Sequence, residues 1–494
     1  ADATAALREP PREEMISMAV LQSQEHTKPP PIRVIFSVDT IGAGQLSAPE
    51  PGARFAPLAP LRWAASTLAA LAIIAVIGLV IPLLMRSIVQ AALPPAPRVH
   101  PSYWVHLALM VGYWLFLATV VSPFLVFAAW SYLGRPAPRS ARVERWPSVS
   151  ILIPAFNEQE IILDAIGGAL AQDYPDFEVI VIDDGSTDLT PYLVASTGAR
   201  LVRHERNKGK AAALNSGLVE ARGEVIVTND ADGYLDPMAL RHLVVPLADP
   251  SVGAVAGQVR LFHPEGSIRR FQVMEYDYCQ ALVKQAQYAS AGTVLVAPGP
   301  VSAHRAKLLR EIGGVPPETL TEDFDLTLRI IARGRRVAYE PRAIAYTEAP
   351  RTDAELRRQR IRWGRGALQV FAKHRRMLGS PGLGLFGMFW LPYSLLSWYA
   401  PAPFAILGLA LLPLMAWGSH SPIRFLECLA LYALPILLIE LARVATGVVS
   451  SSRRDLRFLA YAPLFLVYQK IRLDWFPFES LYREWRHRPK TWND

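Results

Sequence analysis

Hydrophobic and polar positions divide the chain into three regimes. Near the start, Trp63 to Met85 and Tyr103 to Leu133 run without Asp, Glu, Lys or Arg. The hydrocarbon core of a bilayer is about 30 Å thick and takes roughly 20 helical residues, so each run is long enough to span. Neither has the brevity or the position of a secretory leader. Arg135, Arg139, Arg142 and Arg145 follow the second run, whereas the connection between the two holds only Arg86 and Arg98. This excess of arginine places the segment after Arg135, and with it the N-terminal tail, on the cytoplasmic side.

The C-terminal regime is again apolar. Leu383 to Trp417 is uncharged but interrupted by Pro392, Pro401, Pro403 and Pro413. It reads as one kinked span, or as an interfacial helix followed by a span. Phe425 to Val449 reads as a further span carrying Glu427, Glu440 and Arg443. Glu440 and Arg443 share a helical face and can pair, either as a polar lining or at the membrane edge. Phe458 to Gln469 is too short to cross and reads as re-entrant or interfacial. The first 60 residues, with Pro10-Pro11 and Pro29-Pro30-Pro31 and little apolar periodicity, read as a disordered tail.

Between these regimes short apolar runs alternate with helical periods. Val149 to Pro154, Glu178 to Asp183, Arg200 to Arg203 and Glu224 to Thr228 predict strands, with helices over Glu158 to Ala171 and Lys210 to Ala221. Strands alternating with helices predict parallel pairing through right-handed crossovers. The strands are apolar on both faces, as in a sheet covered by helices on both sides. The layout is therefore a tail over 1–60, two spans within 61–134, an α/β domain over 146–376, spans and interfacial helices over 377–476, and a basic tail over 477–494.

Composition agrees. Apolar residues make up 51% and charged residues 19%, below the roughly 25% usual for soluble domains. Two cysteines, Cys279 and Cys428, exclude a disulfide framework and a cysteine-based zinc site. The net charge of +8 gathers at the membrane edges, so no nucleic-acid partner is expected.

In an open parallel sheet, ligands bind beyond the carboxyl ends of the strands. Polar residues collect there: Asn157 and Glu158, Asp183 and Asp184, then Asn229, Asp230 and Asp232. Asp230-Ala231-Asp232 suits a hard divalent cation that neutralises a diphosphate, and equally a solvated turn. Asp183-Asp184-Gly185-Ser186 can accept from a nucleobase or ribose, or form a turn with Ser186 or Asp188 opening the next helix. Lys210, at a helix start after Asn207-Lys208-Gly209, suits a phosphate, or is an exposed basic turn. Thr321-Glu322-Asp323 is either a helix cap with acids in its first turn or a site for a general base at Asp323. Gln359, Arg362 and Trp363 lie on a basic segment that can rest on lipid headgroups, or offer an indole platform for a sugar and an arginine for a diphosphate.

Taken in order, these motifs resemble the processive membrane glycosyltransferases of family 2, the group of cellulose, chitin, hyaluronan and poly-β-1,6-N-acetylglucosamine synthases. The resemblance covers roughly Ser148 to Met377. The stretch Arg360 to Phe371 and the two leading spans are most similar to the poly-N-acetylglucosamine branch. The Phe-x-Val-Thr-x-Lys gating signature of cellulose synthases is absent, and Pro298-Gly299-Pro300 stands where that family has a glycine-rich acceptor loop.

The resemblance implies a cytoplasmic GT-A-like domain, Rossmann-like with a mostly parallel sheet, inserted between transmembrane helices. It implies Asp184 on the uridine, with Asp183 beside it, and Lys210 near the diphosphate. Asp232 would bind Mg2+ or Mn2+, with Asp230 close to ion, sugar and nucleotide. Glu322 would sit on the substrate, Asp323 would deprotonate the acceptor, and Gln359, Arg362 and Trp363 would hold the acceptor end. Expected partners are a UDP-sugar, a growing polysaccharide, the lipid bilayer of the cell membrane and an accessory export subunit. Two rivals are a non-processive transferase acting on a polyprenyl phosphate and a transporter with a regulatory sugar-nucleotide domain.

Overall fold

The computed structural model describes residues 145–262, 267–400 and 456–486, with isolated helical positions between 403 and 448. The tail and spans expected before Leu133, and the Glu440–Arg443 pair, lie outside the described residues. Eight strands form one sheet in the order β3-β2-β1-β4-β7-β6-β8-β5. They are β1 (Val149–Ala155), β2 (Phe177–Asp183), β3 (Arg200–Arg203), β4 (Val225–Thr228), β5 (Gly233–Leu235), β6 (Val252–Leu261), β7 (Ser302–Arg305) and β8 (Arg336–Thr347). β1, β2, β3 and β4 pair in parallel, as does β6 with β8, while β7 and β5 run against their neighbours. The sheet is thus mostly parallel, as the alternation predicts.

Side chains alternate across it. Ile151, Ile153, Val179, Val181 and Val227 enter the apolar layer of one face. Leu152, Ile180, Ile182 and Ile226 enter the layer of the other. The first layer is closed by α1 (Ile162–Leu170), α2 (Thr190–Ala195) and α4 (Ala239–Val244). The second is closed by α3 (Lys210–Glu220), α7 (Ala306–Glu311) and α8 (Glu322–Ala332). This two-sided burial is why the strands carry no polar face. Two further helices, α5 (Ser267–Val273) and α6 (Ala281–Ala291), are joined through a π-helical segment, Met274–Gln280. The 21-residue α9 (Asp353–Lys373) follows β8, then α10 (Leu391–Tyr399), α11 (Ala462–Tyr468) and α12 (Trp475–Trp485).

Several boundaries differ from the pattern. The helix expected from Glu158 begins at Ile162, because the preceding turn is tied to the β2–α2 loop. Asn157 holds φ at 56°, and the backbone N–H groups of Asn157, Glu158 and Gln159 donate to Ser186 Oγ, Thr190 Oγ1 and Asp188 Oδ2. α2 starts at Thr190 behind Leu189, and Asp188 Oδ1 accepts from the Thr190 N–H at 3.0 Å, so Asp188 rather than Ser186 holds its first residue. Thr321 precedes α8 without donating or accepting a side-chain cap. The segment after Trp475, expected to be part of a tail, is helical and rests on α9. Among the described residues no helix is long and apolar enough to cross a membrane.

Phe324 ties these layers together. It is 2% exposed and meets Phe371 of α9 edge-on at 5.4 Å and Trp398 of α10 at 6.1 Å. Phe324→Ala is expected to cost about 3–5 kcal/mol, read as a fall in the denaturant midpoint. A loss below about 1 kcal/mol, within the range of surface substitutions, would contradict this packing role.

Candidate active site

The carboxyl ends of β1, β2, β4 and β8 all open on one edge of the sheet. Because β7 is reversed, the loop that leads into it, Pro298 to Val301, reaches the same edge. β5 hydrogen-bonds to the end of β8, with Gly233 opposite Thr347. That pairing sets Asp232 beside Thr347, whose hydroxyl donates to Asp232 Oδ2 at 2.9 Å.

Lys210 opens α3 and points into this edge. Its Nζ lies 2.5 Å from Asp230 Oδ1 and 3.2 Å from Glu322 Oε1. Burial works against its charge, but Asp230 and Glu322 outweigh burial and hold the ammonium well above the usual lysine range. Three groups far apart in sequence are therefore one ion-paired unit. Gly299 makes room for it. A Cβ there would lie 2.9 Å from Lys210 Nζ and 3.2 Å from Asp230 Oδ1. The glycine between two prolines lets the loop close over the pair.

More negative charge surrounds this unit than the lysine can balance. Burial, then the neighbouring Asp230, pushes Asp232 up to about 6. Burial, then Glu322, pushes Asp323 up to about 6, although Phe324 N–H donates to its Oδ1 at 2.8 Å. Glu158, beyond the end of β1, is raised to about 7 by burial and then by Asp232. Such crowding is what a site for a cation or a general base produces. Among the described residues no three His, Cys, Asp or Glu side chains converge closely enough to hold an ion by themselves. A divalent ion arriving on a diphosphate needs only one or two protein carboxylates, and Asp232 with Asp230 fits that arrangement.

Asp183 and Asp184 have a different task. Asp183 is fully buried, accepts from Ser186 N–H at 3.0 Å and lies 3.0 Å from Arg203 Nε. Asp184 accepts from Lys208 N–H at 2.9 Å and Gly209 N–H at 2.7 Å, with His204 Nδ1 at 2.6 Å. With these partners and 3% exposure it offers little surface to a nucleobase. Its oxygens pin the turn that delivers Lys210.

Gln359, Arg362 and Trp363 lie on α9. Trp363 is half-buried against Tyr276 of the π-helical segment, ring centroids 6.3 Å apart. The Arg360 guanidinium lies 4.3 Å from the Trp363 ring centroid and donates to Glu275 Oε2 at 2.8 Å. One side of the indole is thus already covered by arginine. Burial holds the Tyr276 phenol above the usual range, with Arg360 acting in the opposite direction. Gln359 Oε1 is buried without a hydrogen-bond partner.

The structure therefore gathers Lys210, Asp230, Asp232, Glu322 and Asp323, and packs Trp363 against Tyr276. Sequence reading passed over Glu275, Tyr276 and Lys284, and assigned no role to Glu158. The π-helical segment has no regular period that marks Glu275 or Tyr276. Lys284, on α6, is drawn down to about 8 by burial while Asp323 acts in the opposite direction. Glu158 had a signal in its place after the first strand.

Residues 150–312 match the family model for glycosyl transferase family 2. A poly-β-1,6-N-acetyl-D-glucosamine synthase of Staphylococcus aureus is 30% identical over 236 residues, 47% of this chain and 57% of the relative. One of Staphylococcus epidermidis is 29% identical over 230 residues, 46% and 56% of the two chains. The match thus spans little more than half the length of these curated relatives. A solved mannosyltransferase from Pyrobaculum calidifontis, in complex with GDP-Man and Mn2+, superposes with a TM-score of 0.55 at 26% identity, over 74% of this chain and 98% of that one. The fold is GT-A-like.

The raised carboxylates set a pH dependence. A folded-state pKa above the unfolded value means the folded protein holds protons that the unfolded chain releases, so this stability is present below about pH 4 and lost as pH rises through about 6 to 7. Asp323→Asn is accordingly expected to raise the melting temperature of the metal-free protein at pH 8 and leave it little changed at pH 4. An equal effect at both values would contradict the crowding.

Proposed function

We propose that the protein transfers a sugar, N-acetylglucosamine, from a UDP-sugar to the end of a growing β-linked polysaccharide. The observation that carries this reading is the meeting of Lys210, Asp230, Glu322 and Asp323 at the strand ends beside Asp232, in a chain that matches family 2 over residues 150–312. The poly-β-1,6-N-acetyl-D-glucosamine synthase activity of the relatives supports the choice of sugar, and the Gln359, Arg362 and Trp363 set supports repeated addition. The uncharged runs flanking the domain support a multi-pass protein of the cell membrane, with the domain on the cytoplasmic side and the polymer leaving through the spans.

Transfer is a single displacement with inversion. The acceptor hydroxyl oxygen forms a bond to the anomeric carbon, and the bond from that carbon to the diphosphate oxygen breaks with its electron pair. Asp323 takes the hydroxyl proton, and its raised pKa makes it a better base than an exposed aspartate. Lys210 balances Asp230 and Glu322, so the donor's diphosphate is not met by bare carboxylates. Asp232, with Asp230 beside it, would hold a divalent ion, Mg2+ or Mn2+, which would supply positive charge to the diphosphate leaving group. Gln359 and Arg362 orient the acceptor end, and Trp363, held by Arg360 and Tyr276, gives it an apolar platform.

A second reading has its own support. The structural neighbour is a mannosyltransferase in complex with GDP-Man and Mn2+, and 98% of its length is covered. On that reading one sugar moves from a GDP-linked donor to a single acceptor. Incubating the protein in lipid with UDP-N-acetylglucosamine and with GDP-mannose, and sizing the products, separates the two. The proposal expects polymer from the UDP-sugar alone; one sugar added from GDP-mannose overturns it.

Asp323→Asn is expected to lower kcat by about 10² to 10⁴-fold, the usual worth of a general base, with a smaller effect on KM. Unchanged elongation by the variant removes Asp323 from this role. Chelation of divalent ions is expected to abolish turnover, with Mn2+ or Mg2+ restoring it.

A further inference from the structure

The turn that delivers Lys210 hangs on one carboxylate. Gly209, with φ at 91°, takes the left-handed conformation just before α3. Its N–H donates to Asp184 Oδ2 at 2.7 Å, and the Lys208 N–H donates to Asp184 Oδ1 at 2.9 Å. The loop that carries Asp184 lies directly against this turn. A Cβ on Gly185 would stand 2.6 Å from the Arg206 carbonyl carbon. The two loops therefore touch through backbone, and the orientation of the Asp184 carboxylate decides where two consecutive amides sit.

His204 sets that orientation. Its Nδ1 lies 2.6 Å from Asp184 Oδ1 and its Nε2 lies 2.8 Å from Ser216 Oγ on α3. A carboxylate only accepts, so Nδ1 carries a proton and donates it to Asp184. Both partners are buried, His204 at 7% exposure and Asp184 at 3%. The backbone N–H of His204 donates to the Asp183 carbonyl at 2.8 Å and continues the pairing of β3 with β2. The imidazole thus stands on the sheet, reaching the loop carboxylate at one end and the helix that begins with Lys210 at the other. Asp184, His204 and Ser216 follow the order of an acyl-transfer triad. Ser216, however, lies in the middle of α3, where helical bonds occupy the backbone N–H groups that an oxyanion hole needs. The chain of hydrogen bonds is mechanical.

We propose that His204 is a positioning residue for Lys210. By fixing Asp184 it fixes the Lys208 and Gly209 amides, and the turn they form sets where the Lys210 ammonium meets Asp230, at 2.5 Å, and Glu322, at 3.2 Å. Without the imidazole, Asp184 Oδ1 loses a donor inside the fold, and the carboxylate turns toward the partners that remain. The first residue of α3 is then free to shift, and its side chain is the one that must balance two carboxylates at once. The consequence for nucleotide binding rests on the role given to Lys210 above.

The test uses the full chain in detergent and three substitutions. The amide NH2 of asparagine falls where histidine has Nδ1, and that of glutamine where it has Nε2. His204→Asn therefore keeps the donor to Asp184, His204→Gln keeps only the contact with Ser216, and His204→Leu keeps neither. Hydrogen exchange, resolved to single amides by mass spectrometry, reads the Lys208 and Gly209 N–H groups without nucleotide or sugar. Calorimetry in the presence of Mn2+ reads UDP affinity. His204→Leu and His204→Gln are expected to speed exchange at both amides and weaken UDP binding by about tenfold or more, the usual worth of a hydrogen bond to a charged group, with His204→Asn within about threefold of the parent in both. Behind Lys210→Met the same substitutions are expected to change UDP affinity by less than about twofold, because the lysine they act through is gone. Equal losses in all three variants, no loss in any, or an undiminished loss behind Lys210→Met would overturn the proposal. If His204→Leu does not fold, the Asn and Gln variants decide between these outcomes. Exchange is read without ligand, so UDP that fails to bind the parent protein strikes the transferase reading and leaves this test intact.

Discussion

Lys210 standing between Asp230 and Glu322 is the interaction on which the site depends. Four carboxylates from two parts of the chain, Asp230 with Asp232 and Glu322 with Asp323, and Glu158 from a third crowd one edge of a sheet. Without a cation among them their mutual repulsion in a poorly solvated place would be severe. The lysine is delivered by a turn that Asp184 pins from within the fold. The loop carrying Gly299 closes over it. The charge balance is incomplete, as the raised values of Asp232, Asp323 and Glu158 show. An incomplete balance is suited to a substrate that brings both a cation and a polyanion.

α9 is the mechanical counterpart of that lysine. Gly366 admits Thr321, the residue just before Glu322 and Asp323, against one side of the helix. Gly364 admits Ser480 of α12 against another. Lys373 and His374, at its end, hold the fully buried Asp325 of α8 at 2.6 Å and 2.7 Å. The base-bearing helix, the indole platform and α12 therefore move together or not at all. A displacement of α9 by a fraction of an ångström would reach Trp363 and the helix that carries Asp323 at once.

Much of this was legible in the chain. Alternating apolar runs gave the parallel half of the sheet, because two-sided burial leaves no polar face to confuse the pattern. Acids after strand ends gave Asp230 and Asp232, because topology alone dictates where an open sheet binds, whereas Asp323, in the first turn of α8, was read from its place before a helical pattern. The remaining strands were less visible. β5 and β7 are only three and four residues long, and β6 contains Gly253 and Gly257 where backbones or side chains approach closely. The buried duty of Asp183 and Asp184 was not legible, since a carboxylate that holds a turn and one that meets a nucleobase are the same letter. Nor was the role of Tyr276, whose π-helical segment breaks the period on which such readings rely.

The measurement that tests the account most directly is the binding of Mn2+ with and without UDP, followed by electron paramagnetic resonance. If the acids form one sugar-nucleotide site, Mn2+ binds tightly only when UDP is present, and Asp232→Asn abolishes that cooperation while the fold is kept. Mn2+ binding that ignores UDP, or that survives unchanged in the Asp232 variant, would contradict it.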